Sequence, residues 1–405
     1  MNPVNTRPIR ILLVDDDPVF TLFTCQLLKS LDAGSPCKIA TLADGQAALK
    51  EIHHNRYDLA LLDYSLPGAN GLEILAEIQT LPLDRRPAVI MLTASGNESL
   101  AVEAMKQGAK DYVPKVNLDQ PSLTRAIQSA LNQKRLADQV QAYHTQLEAD
   151  LDLARQLQQS LLPRHYPSFP GSATPEASAL RFHHRFFWTT QLGGDFFSVQ
   201  DLSDSQAGVL ICDVMGHGVR SALVTAMLRA LVGDLAADAN HPDRFLSGMN
   251  QRLNAILKEV GDTLFATACY LIADVGCGKV RYARAGHPPP LHLRRRAGVA
   301  EPLPFPKSAG PALGLFSDAT YIACERELAE DDLLLLFTDG LFEVTGPDGN
   351  EFGSARLLQA ARERMHLPLA GVVDGLIDDV RQFCRSNEFE DDVCLLGVEA
   401  VRRIP

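Results

Sequence analysis

Residues 122–161 contain neither proline nor glycine and are rich in Leu, Ala, Gln and Arg. Nothing in the segment interrupts an intrahelical hydrogen-bond ladder, so it predicts one long helix. Leu136, Val140, Tyr143, Leu147, Leu151, Ala154, Leu157 and Leu161 recur every three or four residues and draw one apolar stripe along it. Such a stripe packs on its own domain or on a second copy. The length, with no folded unit between, predicts a dimeric coiled-coil linker over residues 131–162. The break in 4-3 alternation at Leu147–Leu151 is a stutter, which alters the supercoil locally. Pro163, Pro167, Pro170, Gly171 and Pro175 then mark a boundary.

The helix divides a chain of 405 residues, long enough for two or three domains, into two differently patterned parts. Residues 7–130 alternate short apolar runs (Ile9–Val14, Lys38–Leu42, Leu59–Leu62, Ala88–Leu92, Asp111–Val113) with amphipathic stretches such as Val19–Leu31 and Gly71–Gln79. That alternation predicts an α/β domain, a doubly wound five-stranded parallel sheet that binds ligands beyond the carboxyl ends of its strands. Residues 176–400 differ: apolar runs at Gly208–Cys212, Ala266–Ile272, Lys279–Ala283, Leu333–Phe337 and Val393–Val398 are separated by turn residues. Helical patterns at Ser221–Leu235 and Asp243–Leu257 lie together between them, which predicts an α+β sandwich.

A net charge of −12 argues against a large nucleic-acid or anionic-membrane surface. The one dense basic run, Arg294-Arg295-Arg296, reads as a solvated loop. Eight cysteines form no Cys-x-x-Cys pair, and several sit in apolar runs, so buried free thiols in a reducing compartment are expected. The polar N-terminus, and the lack of any run near the ~18 apolar residues a bilayer requires, predict a soluble cytoplasmic protein.

Acidic residues fall where these folds place chemistry. Asp15-Asp16-Asp17 ends the first strand, Asp63 the third and Thr93 the fourth, while Lys115 follows the fifth. In the C-terminal part four aspartates lie in Gly-Gly-Asp195-Phe, Asp213-Val-Met-Gly-His217-Gly, Thr-Asp339-Gly-Leu and Asp391-Asp392-Val. Carboxylates at strand ends beside glycines suit hard divalent cations, and converging carboxylates repel one another without them. Alone, Asp15–Asp17 reads as a solvated turn and Asp339 as a turn residue. Asp201 and Asp204 read as solvated hairpin-turn residues, and Cys212 as core.

The first constellation resembles the receiver domains of two-component response regulators. The resemblance implies that Asp63 is the phosphoacceptor, that Asp15 and Asp16 with Asp63 bind Mg²⁺, and that Thr93 and Lys115 contact the phosphoryl oxygens. Tyr112 matches the aromatic switch position, and a sensor histidine kinase becomes the phosphodonor. Val116 stands where many receivers have proline, which puts the local loop shape in doubt. The chemistry agrees: a carboxylate nucleophile needs cations to neutralise the transferring phosphoryl group.

The second set, Leu-Gly-Gly-Asp195-Phe-Phe, Cys-Asp213-Val-Met-Gly-His217-Gly, Ala-Gly286-His287-Pro-Pro, Phe-Thr-Asp339-Gly-Leu and Glu-Asp391-Asp392-Val, resembles the PPM-type serine/threonine phosphatases. The bacterial sporulation and general-stress branch is the nearest match. By this resemblance Asp213 bridges two Mn²⁺ or Mg²⁺ ions. Asp195 and the backbone carbonyl of Val214 complete one ion, and Asp339 with Asp391 the other, Asp392 being the alternative. The ions would acidify a water for in-line attack on a phosphomonoester. His217 either protonates the leaving oxygen or makes a structural hydrogen bond; His287 supports a turn. Ser198 and Cys394 replace the branch's usual aspartate and threonine.

Together the resemblances imply a dimeric response regulator in which Asp63 phosphorylation controls a protein phosphatase through the helix. The implied substrate is a phosphorylated anti-sigma-factor antagonist, with no direct nucleic-acid or membrane contact. A reading from another class is a non-catalytic adaptor that binds a sigma factor or its regulator. The complete set of carboxylates favours the enzyme.

Overall fold

The computed structural model describes residues 7–30, 36–94, 98–116, 118–258, 264–306 and 310–404. The chain divides into two compact units, Met1–Glu148 and Ala149–Pro405.

The N-terminal unit runs β1 (Ile9–Val14), α1 (Pro18–Lys29), β2 (Cys37–Leu42), α2 (Gly45–His54), β3 (Leu59–Asp63), α3 (Gly71–Thr80), β4 (Ala88–Thr93), α4 (Glu98–Lys106) and β5 (Asp111–Pro114), and then enters α5 (Gln120–Leu161). Its strands are all parallel, in the order β2-β1-β3-β4-β5. Alternate strand residues supply two cores: Ile11, Leu13, Leu59 and Leu61 on one face, Leu12, Val14, Ala60 and Leu62 on the other. Burial on both faces is why these strands read as unbroken apolar runs. Asp17 is not a ligand candidate in this arrangement; it caps α1, accepting from the Val19 and Phe20 amides. Leu31, to which the sequence pattern extends α1, lies outside the described residues.

The C-terminal unit contains β6 (Leu180–Phe187), β7 (Asp195–Ser203), β8 (Gln206–Val214), α6 (Val219–Asp234), α7 (Pro242–Lys258), β9 (Ala266–Asp274), β10 (Lys279–Ala285), β11 (Leu291–Arg294), β12 (Val299–Pro302), β13 (Cys324–Glu327), β14 (Leu333–Phe337), α8 (Gly353–Arg364), α9 (Leu369–Cys384) and β15 (Val393–Ala400). Two antiparallel sheets, β13-β10-β9-β8-β7 and β12-β11-β14-β15-β6, stack face to face. Helices α6 and α7 cover the first sheet, α8 and α9 the second. The period of two is plain at Phe196 and Phe197: the first packs under α6 and α7, the second between the sheets. Among the described residues a second pair of helices, α8 and α9, joins the pair clustered in the middle of the sequence.

Helix α5 leaves Leu136, Val140, Tyr143 and Leu147 exposed, Tyr143 at 76%. Farther along, Leu151, Ala154 and Leu161 are half-buried, but between the last two the stripe shifts by one residue. Leu157 is 61% exposed and Gln158 is turned inward at 7%, because its amide has polar partners described below. Among the described residues no helix is long and apolar enough to cross a membrane.

Strand β6 carries His184, whose Nδ1 shares a hydrogen bond of 2.6 Å with the Tyr166 hydroxyl. Burial first, then the His183 and Arg185 charges, lower its pKa to about 4. The unfolded chain therefore takes up this proton at a higher pH than the folded one. Stability from neutral His184 is present above ~6.5 and is lost as pH falls toward ~4. Allowing for partial exposure, the loss is about 2 kcal/mol. Denaturant titrations followed at Trp188, the one tryptophan, should show this loss between pH 7 and 4.5, and His184→Gln should remove that portion of it.

Candidate functional site

In the N-terminal unit β1 and β3 lie side by side in parallel, with Val14 opposite Leu62. One residue later the chain presents Asp15 beside Asp63, at the point where the strand order reverses direction. Oxygens of Asp15, Asp16 and Asp63 all lie within 4.8 Å of one another, a grouping found once among the described residues. Lys115 Nζ is 2.7 Å from Asp15 Oδ2 and 2.9 Å from Asp63 Oδ2, and sits 4.8 Å over the Phe20 ring. Burial pushes the Asp63 carboxyl up and Asp15 adds to it, while Lys115 pulls it down. Burial works against the Lys115 charge too, but bonds to Asp15 and Asp63 outweigh it and raise its pKa. Oxygen donors at this spacing fit Mg²⁺. Thr93 is buried at the end of β4, whereas Tyr112 on β5 is 43% exposed and lines a shallow pocket with Val102 and Met105.

In the C-terminal unit Asp195, the first residue of β7, lies directly opposite Asp213 near the end of β8. Like charges facing each other across a ladder destabilise it unless something neutralises them. Asp339 lies two residues past the end of β14 and Asp391 two before the start of β15. A buried hydroxyl ties the two sheets together here. Thr338 Oγ1 donates to Asp195 Oδ2 at 2.7 Å and accepts from the Cys394 amide at 2.9 Å.

Asp391 and Asp392 occupy different surroundings. Asp392 is buried and accepts from the Thr189 amide at 2.9 Å and the Gly194 amide at 2.7 Å, one through each oxygen. Asp391 is exposed, and its Oδ1 accepts from the Asp392 amide at 2.7 Å. The Gly193–Asp195 segment is held a third time by Gln158 of α5. Its Nε2 donates to the Gly193 carbonyl at 2.7 Å and the Thr225 hydroxyl at 3.1 Å, and its Oε1 accepts from the Gly193 amide at 3.2 Å. Close approach requires the glycine at Gly194, where a Cβ would press on the Val214 carbonyl oxygen.

Burial raises the Asp213 pKa to about 7, followed by repulsion from Asp339, Asp391, Asp392 and Glu343. Burial and then Asp213 push Asp195 well above the carboxylate range, against the pull of the Thr338 hydrogen bond. Asp339 is raised by burial and Asp391. The charges reported to act on Asp213 are all negative, so divalent cations complement this donor set. Oxygen-only donors favour Mg²⁺ or Mn²⁺ over zinc.

Three residues escaped the sequence reading, Gln158, Thr338 and Glu343, as did the bracing role of Asp392. Only Glu343 carried a local signal, as a carboxylate four residues after Asp339. His217 is exposed and near enough to lower the Asp392 pKa. His287 is buried, its Nδ1 2.7 Å from the Thr267 hydroxyl, and burial holds its pKa at about 3, in keeping with a supporting role. Cys212 is core. Asp204 is exposed but bonded, accepting from the Gly171 amide at 3.1 Å, and Asp201 lies on β7 rather than in the turn.

A family model described as Response regulator receiver domain matches residues 11–146, and one described as Stage II sporulation protein E (SpoIIE) matches residues 203–401. The chain is 24% identical over 260 residues to phosphoserine phosphatase RsbP of Bacillus subtilis (strain 168), covering 64% of this chain and 60% of RsbP. It is 24% identical over 204 residues to phosphoserine phosphatase RsbU of the same organism, covering 50% of this chain and 56% of RsbU. The alignments thus span less than two thirds of either relative. Among solved structures, the SiaA-PP2C domain of Pseudomonas aeruginosa superposes with a TM-score of 0.54 at 22% identity, covering 65% of this chain and 99% of that one, a likeness of fold. The chain therefore joins a response regulator receiver domain to a C-terminal domain of the SpoIIE/PP2C phosphatase type.

Proposed function

We propose that the C-terminal domain is a metal-dependent protein serine/threonine phosphatase and that phosphorylation of Asp63 controls it. The observation that carries this reading is the cross-strand pair Asp195–Asp213 with Asp339 and Asp391 close enough to raise its proton affinity. In this reading Asp195, Asp213, Asp339, Asp391 and the Val214 carbonyl would hold Mn²⁺ or Mg²⁺, with Asp213 central to the set. Bound cations would neutralise the carboxylates and supply an acidified water for attack on a phosphomonoester. The protein's part is orientation. Thr338 aims Asp195, while Asp392 and Gln158 fix the loop before it. His217 stands in the open, available to protonate the leaving oxygen.

In the receiver, Asp63 would be the nucleophile, Lys115 would neutralise charge on the incoming phosphoryl group, Asp15 and Asp16 with Asp63 would hold Mg²⁺ to the same end, and Thr93 and Tyr112 would read its arrival. A sensor histidine kinase is the proposed donor. The exposed stripe Leu136–Val140–Tyr143–Leu147 supports a homodimer paired along α5. The proposed substrate is a phosphoserine or phosphothreonine on an anti-sigma-factor antagonist, a class consistent with the similarity to RsbP and RsbU.

The test is hydrolysis of a phosphoserine protein with and without Mn²⁺. Metal-dependent release of phosphate is expected. Binding of a sigma-factor regulator without any hydrolysis would favour an adaptor instead. A second experiment separates the neighbouring carboxylates. Asp391→Asn should weaken Mn²⁺ binding roughly 10- to 100-fold in a metal titration. Asp392→Asn should chiefly lower stability, by about 1–3 kcal/mol, because it turns an amide toward a backbone N–H. The reverse pattern would exchange their roles.

A further inference from the structure

Beside the four carboxylates the C-terminal domain holds a pocket of about 460 Å³. The Pro288–Pro289 turn, Leu291, Phe337, Phe342 and Leu358 wall it, and Asp339 lines it as well as belonging to the proposed metal centre. Phe337 and Phe342 meet edge to face with ring centroids 5.9 Å apart, which makes that wall rigid. Glu343 adds a second carboxylate to the lining. Arg284 lines it too; its guanidinium lies 4.6 Å over the Phe305 ring and Nη1 donates to the His287 carbonyl at 3.1 Å. Its Nε is buried and has no acceptor among the described residues.

We propose that this pocket receives an apolar side chain flanking the phosphorylated serine or threonine of the protein substrate, and so sets sequence preference. The proposal rests on the phosphatase reading above. Continuity supports it: the pocket and the metal centre share Asp339, and successive residues of a bound segment are about 3.8 Å apart, so a near neighbour of the phosphoresidue reaches the pocket mouth. Charge supports it as well. Glu343 disfavours a second phosphate or an acidic side chain, Arg284 is engaged by the His287 carbonyl, and Leu291, Phe337, Phe342, Leu358 and the prolines make most of the lining apolar. The volume falls in the range typical of side-chain and small-ligand pockets.

The experiment uses the full chain with Mn²⁺ and phosphoserine peptides that carry leucine, glycine or aspartate at each flanking position in turn. Hydrolysis is measured on the peptides, and binding on phosphonate versions that cannot be hydrolysed. At one flank leucine should exceed glycine by about tenfold in both kcat/KM and affinity. Ala355→Trp, on the exposed side of α8 at the pocket, should bring the leucine-to-glycine ratio to about one. Leu358→Trp, which fills the pocket from the same helix, should do the same, and circular dichroism confirms that each variant folds. Hydrolysis with no leucine preference at any flank would overturn the pocket and leave the phosphatase standing. So would a preference that survives both substitutions, or aspartate binding as well as leucine. An unhydrolysed leucine peptide whose tighter binding is lost in both variants would support the pocket and sink the phosphatase.

Discussion

Asp213→Asn should cut hydrolysis of p-nitrophenyl phosphate by at least about 1,000-fold, the loss of roughly 4 kcal/mol of transition-state stabilisation. The size of the effect follows from position. Asp213 faces Asp195 directly across the β7–β8 ladder and also feels Asp339 and Asp391, so one side chain is central to both proposed ions. The same substitution removes a buried charge crowded by others of like sign. Without metal, the C-terminal domain of the variant should therefore melt at a higher temperature than the native one, and adding Mn²⁺ should no longer raise that transition. Activity, metal-free stability and the response to metal thus move in three distinguishable ways. A variant that was merely misfolded would melt lower.

Gln158→Leu should have the second largest effect. Gln158 sits near the end of the long helix, yet its amide occupies both the N–H and the carbonyl of Gly193, two residues before Asp195. Leucine would leave both backbone groups buried and unpaired, at about 1–3 kcal/mol each. The loop that carries Asp195 would lose one of its holds, with Thr338 and Asp392 remaining. The expected result is a fall in kcat of tenfold or more, weaker Mn²⁺ binding, and loss of the response to Asp63 phosphorylation. Unchanged kinetics and an intact response would show that α5 communicates by another route.

Where burial is complete, the sequence is easily read. Leu333–Phe337 is an unbroken apolar run and is a strand with those bounds, covered on both faces. Asp63, Thr93 and Lys115 were legible because a parallel sheet puts its strand ends on one edge in a known order. Half-buried strands were less so. In β6, Leu180–Phe187, charged and histidine residues alternate with apolar ones and no run stands out. Edge strand β13, Cys-Glu-Arg-Glu, has almost no apolar signal. The aspartate motifs were legible as an acidic grouping, but their supports were not. Thr338 reaches Asp195 across 143 positions, and Asp392 reaches Gly194 across 198. No local pattern encodes contacts of that range. Gln158 was misread for a related reason: helical periodicity gave its place on the stripe to Leu157, and only the unpaired backbone of Gly193 explains why the polar residue points inward.

Control of one acidic site by the other is tested directly by a single measurement. Full-length protein with Mn²⁺ is assayed on a phosphoserine protein before and after beryllofluoride, a phosphoryl mimic, is added to occupy Asp63. Asp63→Asn is carried alongside. The expected result is metal-dependent hydrolysis whose rate changes several-fold, in either direction, when beryllofluoride is added, with no change in Asp63→Asn. A rate indifferent to beryllofluoride, or one that shifts equally in Asp63→Asn, would contradict it.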